Sequence, residues 1–138
     1  MSEKLHLEIY TPEGIIFNKD VDEIEGPGYE GAFGILPHHT PYFVILRTGV
    51  LTYRDGDKWS GFVIESGYAV VEENNVKVIV SSVEDIDSIN YNEEVNLKNK
   101  ISEEMKGLSV DSDEFISLEN KFRKSIARIQ AYERFVKK

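Results

Sequence analysis

Gly26-Pro27-Gly28-Tyr29-Glu30-Gly31-Ala32-Phe33-Gly34-Ile35-Leu36-Pro37-His38-His39-Thr40-Pro41 places four glycines and three prolines within sixteen residues. Glycine takes positive φ at little cost and proline fixes φ, so the stretch reads as two rigid turns around a short strand at residues 32–36. It is not a phosphate loop. No Gly-Lys-Ser/Thr ending is present, and the residues that follow read as strand rather than helix. Turn packing alone accounts for the composition. The functional alternative is a pre-ordered presentation loop in which Tyr29, Glu30 and His39 are available to a partner, because a stiff loop loses little entropy on docking.

Strand signals surround this loop. Leu5, Leu7 and Ile9 alternate with His6, Glu8 and Tyr10, the period of two expected when one face is buried, and Thr11-Pro12-Glu13-Gly14 ends the run. Further short runs rich in β-branched and aromatic residues lie at 15–17, 21–25, 42–46, 50–54, 59–64, 68–71 and 76–80. Asp55-Gly56 and Asn74-Asn75 separate such runs and favour tight hairpins. Neighbouring strands should therefore pair antiparallel. No helical stretch interrupts them, so residues 1–86 are expected to form an antiparallel β-sandwich.

After Asp87 the period changes. Leu97, Ile101, Met105 and Leu108 share one helical face that Asn90 or Asn92 could cap, Glu93 and Glu94 suit its first turn, and Gly107 ends it. Asp111-Ser112-Asp113-Glu114 resembles a capping box, followed by an apolar stripe of Phe115, Leu118, Phe122, Ile126, Ile129, Tyr132 and Val136 over about 24 residues. Residues 87–138 are thus expected to form an antiparallel two-helix hairpin. The second helix carries more apolar surface than the first can hide. The excess must meet the sandwich or another protein.

Charge is divided unevenly along the chain. From residue 115 to 138 seven bases face two acids, a local net of +5, so the rest carries −14, the difference between −9 overall and +5. An acidic body argues against nucleic-acid binding, and the basic tail suits an acidic partner surface or a solvated face. With 138 residues, 41% hydrophobic and 30% charged, the composition is that of a globular protein, and no apolar run approaches the roughly 20 residues that span a bilayer. No secretory signal is visible at Met1-Ser2-Glu3-Lys4, which leads to the expectation of residence inside the cell. The absence of cysteine removes disulfides and thiolate chemistry.

Catalytic patterns do not emerge. His6 and the adjacent His38-His39 lack the i,i+4 spacing of a helical zinc site, and neighbouring histidines diverge, so no metal is expected. Ser66-Gly67 lies in no nucleophile elbow. Asp22, Glu23, Glu25, Asp85 and Asp87 read as solvated edge or loop carboxylates.

Pro27-Gly28-x-Glu30-Gly31-x-Phe33-Gly34-Ile35-Leu36-Pro37-x-His39-x-Pro41 resembles the signature of the F-type ATP synthase epsilon subunit family. Flanking matches follow in order: Leu7-x-Ile9-x-Thr11-Pro12, Leu46-x-x-Gly49-Val50-Leu51, Ser66-Gly67-Tyr68-Ala69-Val70-Val71 and Asn75-Val76-x-Val78. Together they cover most of residues 5–87. The resemblance implies a β-sandwich foot on the central stalk and a helical regulatory arm, with no catalytic residues of its own.

By this resemblance the partners are the gamma subunit, the c-subunit ring and the alpha and beta subunits of the catalytic head. Ring rotation, driven by a proton or sodium gradient, would pass through the foot. Tyr29, Glu30, Gly31 and His39 would face the c ring, and Phe43 and Val44 would lie near gamma. In an extended arm Lys121, Lys124 and Arg128 would meet acidic surface on the head, while Phe122, Ile126 and Ile129 bury against gamma and ATP hydrolysis is obstructed. Membrane association would come only through the complex, at the cytoplasmic face of a bacterial plasma membrane.

Some members bind ATP through Ile/Leu-Asp-x-x-Arg-Ala. Here the stretch is Ile86-Asp87-Ser88-Ile89-Asn90-Tyr91, and asparagine lacks the guanidinium that a phosphate favours, so no cofactor is expected. The rival readings are a free-standing sandwich module with a coiled-coil arm and a cupin-like metalloenzyme. Ordered flanking motifs favour the epsilon reading over the first, and undispersed ligands disfavour the second.

Overall fold

The computed structural model describes residues 3–136; Met1, Ser2, Lys137 and Lys138, the last two counted in the basic tail, lie outside the described residues. Ten strands come first: β1 (Leu5–Thr11), β2 (Gly14–Val21), β3 (Glu23–Gly28), β4 (Gly31–Ile35), β5 (Tyr42–Leu46), β6 (Gly49–Asp55), β7 (Lys58–Ile64), β8 (Gly67–Glu72), β9 (Asn75–Val80) and β10 (Val83–Asp85). A 3-10 turn (Ile86–Ser88) leads to α1 (Tyr91–Met105) and α2 (Asp113–Phe135). The architecture is the expected β-sandwich followed by two packed helices.

The strands run in the order β10-β7-β6-β3-β5-β8-β9-β1-β2, with β4 paired to β3. β3 bonds β6 through Glu23–Glu25 and touches β5 at Gly28, so it joins the two halves of the sandwich. Pairing is antiparallel except between β1 and β9, which run parallel. Inside, Leu5, Leu7 and Ile9 pack with Val76, Val78 and Val80, as the period of two predicts.

Local chemistry moved several boundaries by about one residue. The β8–β9 turn is Glu73-Asn74, both at positive φ, instead of Asn74-Asn75, because the register pairs Glu72 with Asn75. Gly56 takes φ +64° as the first residue of a Gly56-Asp57 turn between paired Asp55 and Lys58. Asn90 caps α1, its side-chain oxygen accepting the Glu93 N–H at 3.1 Å. α2 is capped by Ser112, which accepts the Phe115 N–H at 3.1 Å, and not by Asp111.

The arm-facing surface explains why β7 reads as a continuous apolar run. Gly61–Ile64 are all buried: Phe62 and Ile64 point into the sandwich, and Val63 is covered by the arm. Strands buried on both faces lose their alternation. Val63 and Ile86 meet Ala127 and Ala131 of α2, with Val50, Ile89 and Phe135 at the margins. The contact therefore runs through alanines that lie off the predicted stripe. Of that stripe only Leu118 is buried, while Phe122, Ile126 and Ile129 are half-buried. Small side chains let the helix backbone approach the sheet closely, and the large ones spread to the flanks. Ala131→Leu, at a fully buried position, should weaken arm docking by about 1–3 kcal/mol through overpacking. Hydrogen exchange should then rise in α2 while the strands that bury Leu5, Leu7 and Ile9 keep their protection.

Candidate interaction surfaces

The hairpin of β3 and β4 closes tightly. Gly28 pairs with Gly31, leaving Tyr29 and Glu30 at the tip, with Gly31 at φ +143°. Two backbone bonds tie this hairpin to β5: the Tyr29 N–H donates to the Ile45 carbonyl at 2.8 Å, and the Arg47 N–H donates to that of Pro27 at 2.9 Å. Gly26 is required by contact. A Cβ there would sit 2.5 Å from Phe33 Cζ, so glycine lets the Phe33 ring lie across β3. The Tyr29 side chain is 70% exposed and Glu30 is exposed.

Residues 36–41 form a second ridge tied to the rest of the sandwich. His38 adopts φ +69°, and its N–H donates to the Asn74 side-chain oxygen at 2.7 Å. His39 Nδ1 lies 2.7 Å from the Thr40 carbonyl oxygen, which only accepts, so Nδ1 is the donor. The His39 ring lies 5.5 Å from that of Tyr42, and Tyr42 lies 6.0 Å from Phe33. Tyr42 thus connects the ridge to β4. Tyr29, Glu30 and Gly31 belong to the hairpin tip, and His39, half-buried, to the ridge.

On β5, alternation separates the two residues assigned to one surface. Phe43 is 58% exposed and shares its face with Ile45, its ring 5.5 Å from Tyr68 on β8. Val44 points the other way and packs on the sandwich core. An exposed apolar strip of Phe43, Ile45 and Tyr68 results. Ile45 and Tyr68 are cross-strand partners in the β5–β8 register, a juxtaposition that spacing within either strand does not reveal.

The arm is held by charge as well as by alanines. Arg128 directs Nε and Nη2 at Glu84, at 3.0 and 2.9 Å, and Nη1 at Glu94 at 3.1 Å. Lys124 Nζ contacts Glu65 and lies 3.3 Å from Glu84. Ser125, fully buried, donates through Oγ to the Glu94 carboxylate at 3.0 Å. Burial pushes the Glu84 carboxyl up, but the hydrogen bonds and charge of Arg128, with Lys124, outweigh it and hold the group below its ordinary 4.5. The Lys124 hydrogen bond does the same for Glu65 against a smaller opposing effect of burial. Arg128 is lowered by burial and raised further by Glu84 and Glu94, a net upward shift.

Of the basic arm residues singled out by sequence, Lys124 and Arg128 are therefore engaged and Lys121 is exposed. Glu65, Glu84 and Ser125 escaped notice, and Glu94 was read only as a first-turn acid of α1, because their partners lie 31 to 59 residues away. The opposed signs of body and tail were the available signal. Asn90, where a nucleotide-binding arginine would stand, is used as the α1 cap, and Arg128 already faces two carboxylates. These residues do not fit a nucleotide phosphate. Among the described residues no group of three or more His, Asp or Glu side chains is placed to hold a metal ion, and no helix is long and apolar enough to cross a membrane.

Comparison with known proteins agrees with this architecture. The family model described as "ATP synthase, Delta/Epsilon chain, beta-sandwich domain" matches residues 4–86. The ATP synthase epsilon chain of Geobacter metallireducens is 32% identical over 130 residues, 94% of each chain. That of Nitratidesulfovibrio vulgaris (strain DSM 19637 / Miyazaki F) is 42% identical over 89 residues, 64% of this chain and 66% of the relative. Among solved structures, a chain of the Euglena gracilis mitochondrial ATP synthase OSCP/F1/c-ring assembly superposes with a TM-score of 0.80 at 18% identity, over 97% of this chain and 82% of that one. A chain of the Tetrahymena thermophila mitochondrial ATP synthase central stalk/c-ring gives 0.63 at 15% identity, over 94% and 98%. At these identities the two superpositions speak to the fold alone. The family match and the near full-length relative carry the assignment: the chain belongs to the ATP synthase epsilon-chain family.

Proposed function

We propose that this chain couples rotation of the c ring to the catalytic head through its sandwich and restrains ATP hydrolysis through its arm. The observation that carries this reading is the contrast between a hairpin bound by backbone hydrogen bonds and ring contacts, and an arm bound by alanines and ion pairs. One part is built to transmit force and the other to let go. Tyr29, Glu30 and Gly31 at the tip, with His39 on the ridge, would meet the c ring. Rigid presentation minimises the ordering cost of that contact and limits torsional slack.

Phe43, backed by Ile45 and Tyr68, would meet gamma, with Val44 acting behind it as a packing residue. Once released, α2 would set Lys121, Lys124 and Arg128 against acidic surface on the alpha and beta subunits, and Phe122, Ile126 and Ile129 against gamma. The docked arm is then the permissive state, since its cations are already satisfied. A peripheral position on the cytoplasmic side of a bacterial membrane, held there by the complex, completes the proposal. In this reading the sandwich ends at residue 86 and the arm begins at 87, a division supported by the 3-10 turn Ile86–Ser88 that precedes the Asn90 cap.

Three measurements test the reading. Removing residues 88–138 from the assembled complex should raise ATP hydrolysis at least about twofold without loss of subunits; unchanged hydrolysis refutes inhibition by the arm. The double substitution Tyr29→Ala, Glu30→Ala should weaken retention of the full chain on a purified c ring about fivefold or more, the scale of about 1 kcal/mol for truncating a contact residue. Arm docking should also depend on pH. The carboxyls of Glu65 and Glu84 sit below their ordinary 4.5 when docked, so their contribution is fully present above about pH 4.5 and declines as pH falls through the lower docked values. Hydrogen exchange of α2 across pH 6 to 3 should show that loss, and an unchanged profile contradicts it.

A further inference from the structure

We propose that the cleft between α2 and the outer face of β3, β4 and β6 binds a small hydroxyaryl carboxylic acid, its carboxylate held by Arg47 and Arg123 and its hydroxyl by Thr52. The cleft encloses about 790 Å³, within the range of small-molecule sites. Its lining includes no residue of α1, of the hairpin tip or of the ion pairs made by Lys124 and Arg128. Binding there needs the docked arm but no partner subunit.

The Thr52 hydroxyl singles out this cleft. Thr52 is 1% exposed, and its Oγ1 has no hydrogen-bond partner among the described residues. Alternation along β6 turns Leu51 and Tyr53 into the sandwich core and leaves Thr52 on the outer face, beneath α2. Its methyl occupies the β7 side, 3.1 Å from where a Cβ on Gly61 would stand, and the residue borders the cleft. A buried hydroxyl without a partner is costly, and a ligand group that hydrogen-bonds it offsets that cost.

Charge supplies the second requirement. The lining carries three guanidiniums, of Arg47, Arg123 and Arg134, against the single carboxylate of Glu25, in a chain of net charge −9. Glu25 is matched by Arg134 at 3.3 Å. Arg123 has only Glu119 of its own helix, at 3.7 Å, and the Arg47 side chain makes no ion pair or hydrogen bond with a described residue. These two guanidiniums can therefore take a carboxylate through paired donors.

Spacing joins the two requirements. Glu25 pairs with Thr52 across β3 and β6 and reaches Arg134, which marks the hydroxyl end of the cleft. Arg123 lies eleven residues earlier, about 16 Å along the helix, and the reach of its side chain brings guanidinium and hydroxyl to roughly 10 Å. Pro27, Val50 and Ile126 make the interval apolar. An aromatic ring covers such a floor while its face attracts guanidinium groups. A ring with an anionic arm on one side and a hydroxyl on the other meets all three features.

Titration of the full chain with 4-(4-hydroxyphenyl)butanoate, at fixed pH and ionic strength, should shift the amide resonances of Val50, Thr52 and Ile126 and saturate. 4-Phenylbutanoate should bind about tenfold more weakly, because it leaves the Thr52 hydroxyl unmatched. Thr52→Val should abolish that preference and melt no lower than the parent, since it removes an unmatched polar group. Arg47→Gln, Arg123→Gln should weaken both probes about tenfold or more while the preference for the phenol remains. Gly34→Leu should fill the cleft and block both probes. Gly34 pairs with Glu25 on the outer face, and a Cβ there meets nothing nearer than the Ile24 carbonyl oxygen at 3.9 Å.

Shifts that do not saturate, or that spread through the whole chain, overturn the proposal. So does a Thr52→Val chain that still prefers the phenol, or a Gly34→Leu chain that binds as the parent does. A lower melting temperature for Thr52→Val shows that its hydroxyl is already matched in the free protein and overturns it equally.

Discussion

The docked arm depends on matched charge between α2 and the sandwich. Arg128 and Glu84 are both mostly withdrawn from water, and each satisfies the other through a forked contact. Such pairs act chiefly as a constraint on position, since desolvation cancels much of their attraction. The alanines beside them fit the same conclusion. Ala127 and Ala131 bury area but offer no protruding side chain to lock the helix in register. Charge sets where α2 lies, and close packing follows. The double burial of β7 and the placement of α1 through Ser125 and Glu94 then depend on that position.

The hairpin tip is held by interactions of a different kind. Its ties to β5 are backbone hydrogen bonds, and Phe33, Tyr42 and His39 add a row of rings between the tip and the ridge. Neither kind is strongly screened by salt, whereas exposed parts of the ion-pair cluster are. Changing ionic strength or acidity therefore loosens one part of the molecule while leaving the other in place. A proposed coupling surface needs that constancy, and a proposed regulatory arm needs the opposite. The fold supplies both because its basic helix meets the acidic body along β6, β7 and the 3-10 turn, away from the hairpin tip.

Much of the fold was legible because its signals are local. Leu5, Leu7 and Ile9 announce their buried face by period alone, and the glycines and prolines of residues 26–41 announce stiffness by composition. The predicted hairpin was shorter than the real one: β3 continues through Pro27 to Gly28, since Gly26 and Gly28 yield room to Phe33. The arm contact was harder to see. A stripe weighted by side-chain size selects Phe122, Ile126 and Ile129 and passes over Ala127 and Ala131, whose smallness is what allows close approach. Val44 illustrates the same limit on a strand, where adjacent residues face opposite sides and only the pairing with β8 says which is outside. Glu65, Glu84 and Glu94 could not be selected from among 25 acidic residues, because nothing local marks the ones that the topology brings to Arg128.

Asn90 brings these strands of reasoning together. Its side-chain oxygen accepts an amide hydrogen at the start of α1, a task arginine cannot perform because it has no acceptor. Capping the helix and gripping a phosphate are alternative uses of one position, and here the cap has taken it. Arg128 is likewise committed, to Glu84 and Glu94. In the proposed control of the arm, α2 is held by carboxylates of the sandwich itself. That hold is set by the protein's own surface, so acidity and salt would loosen it.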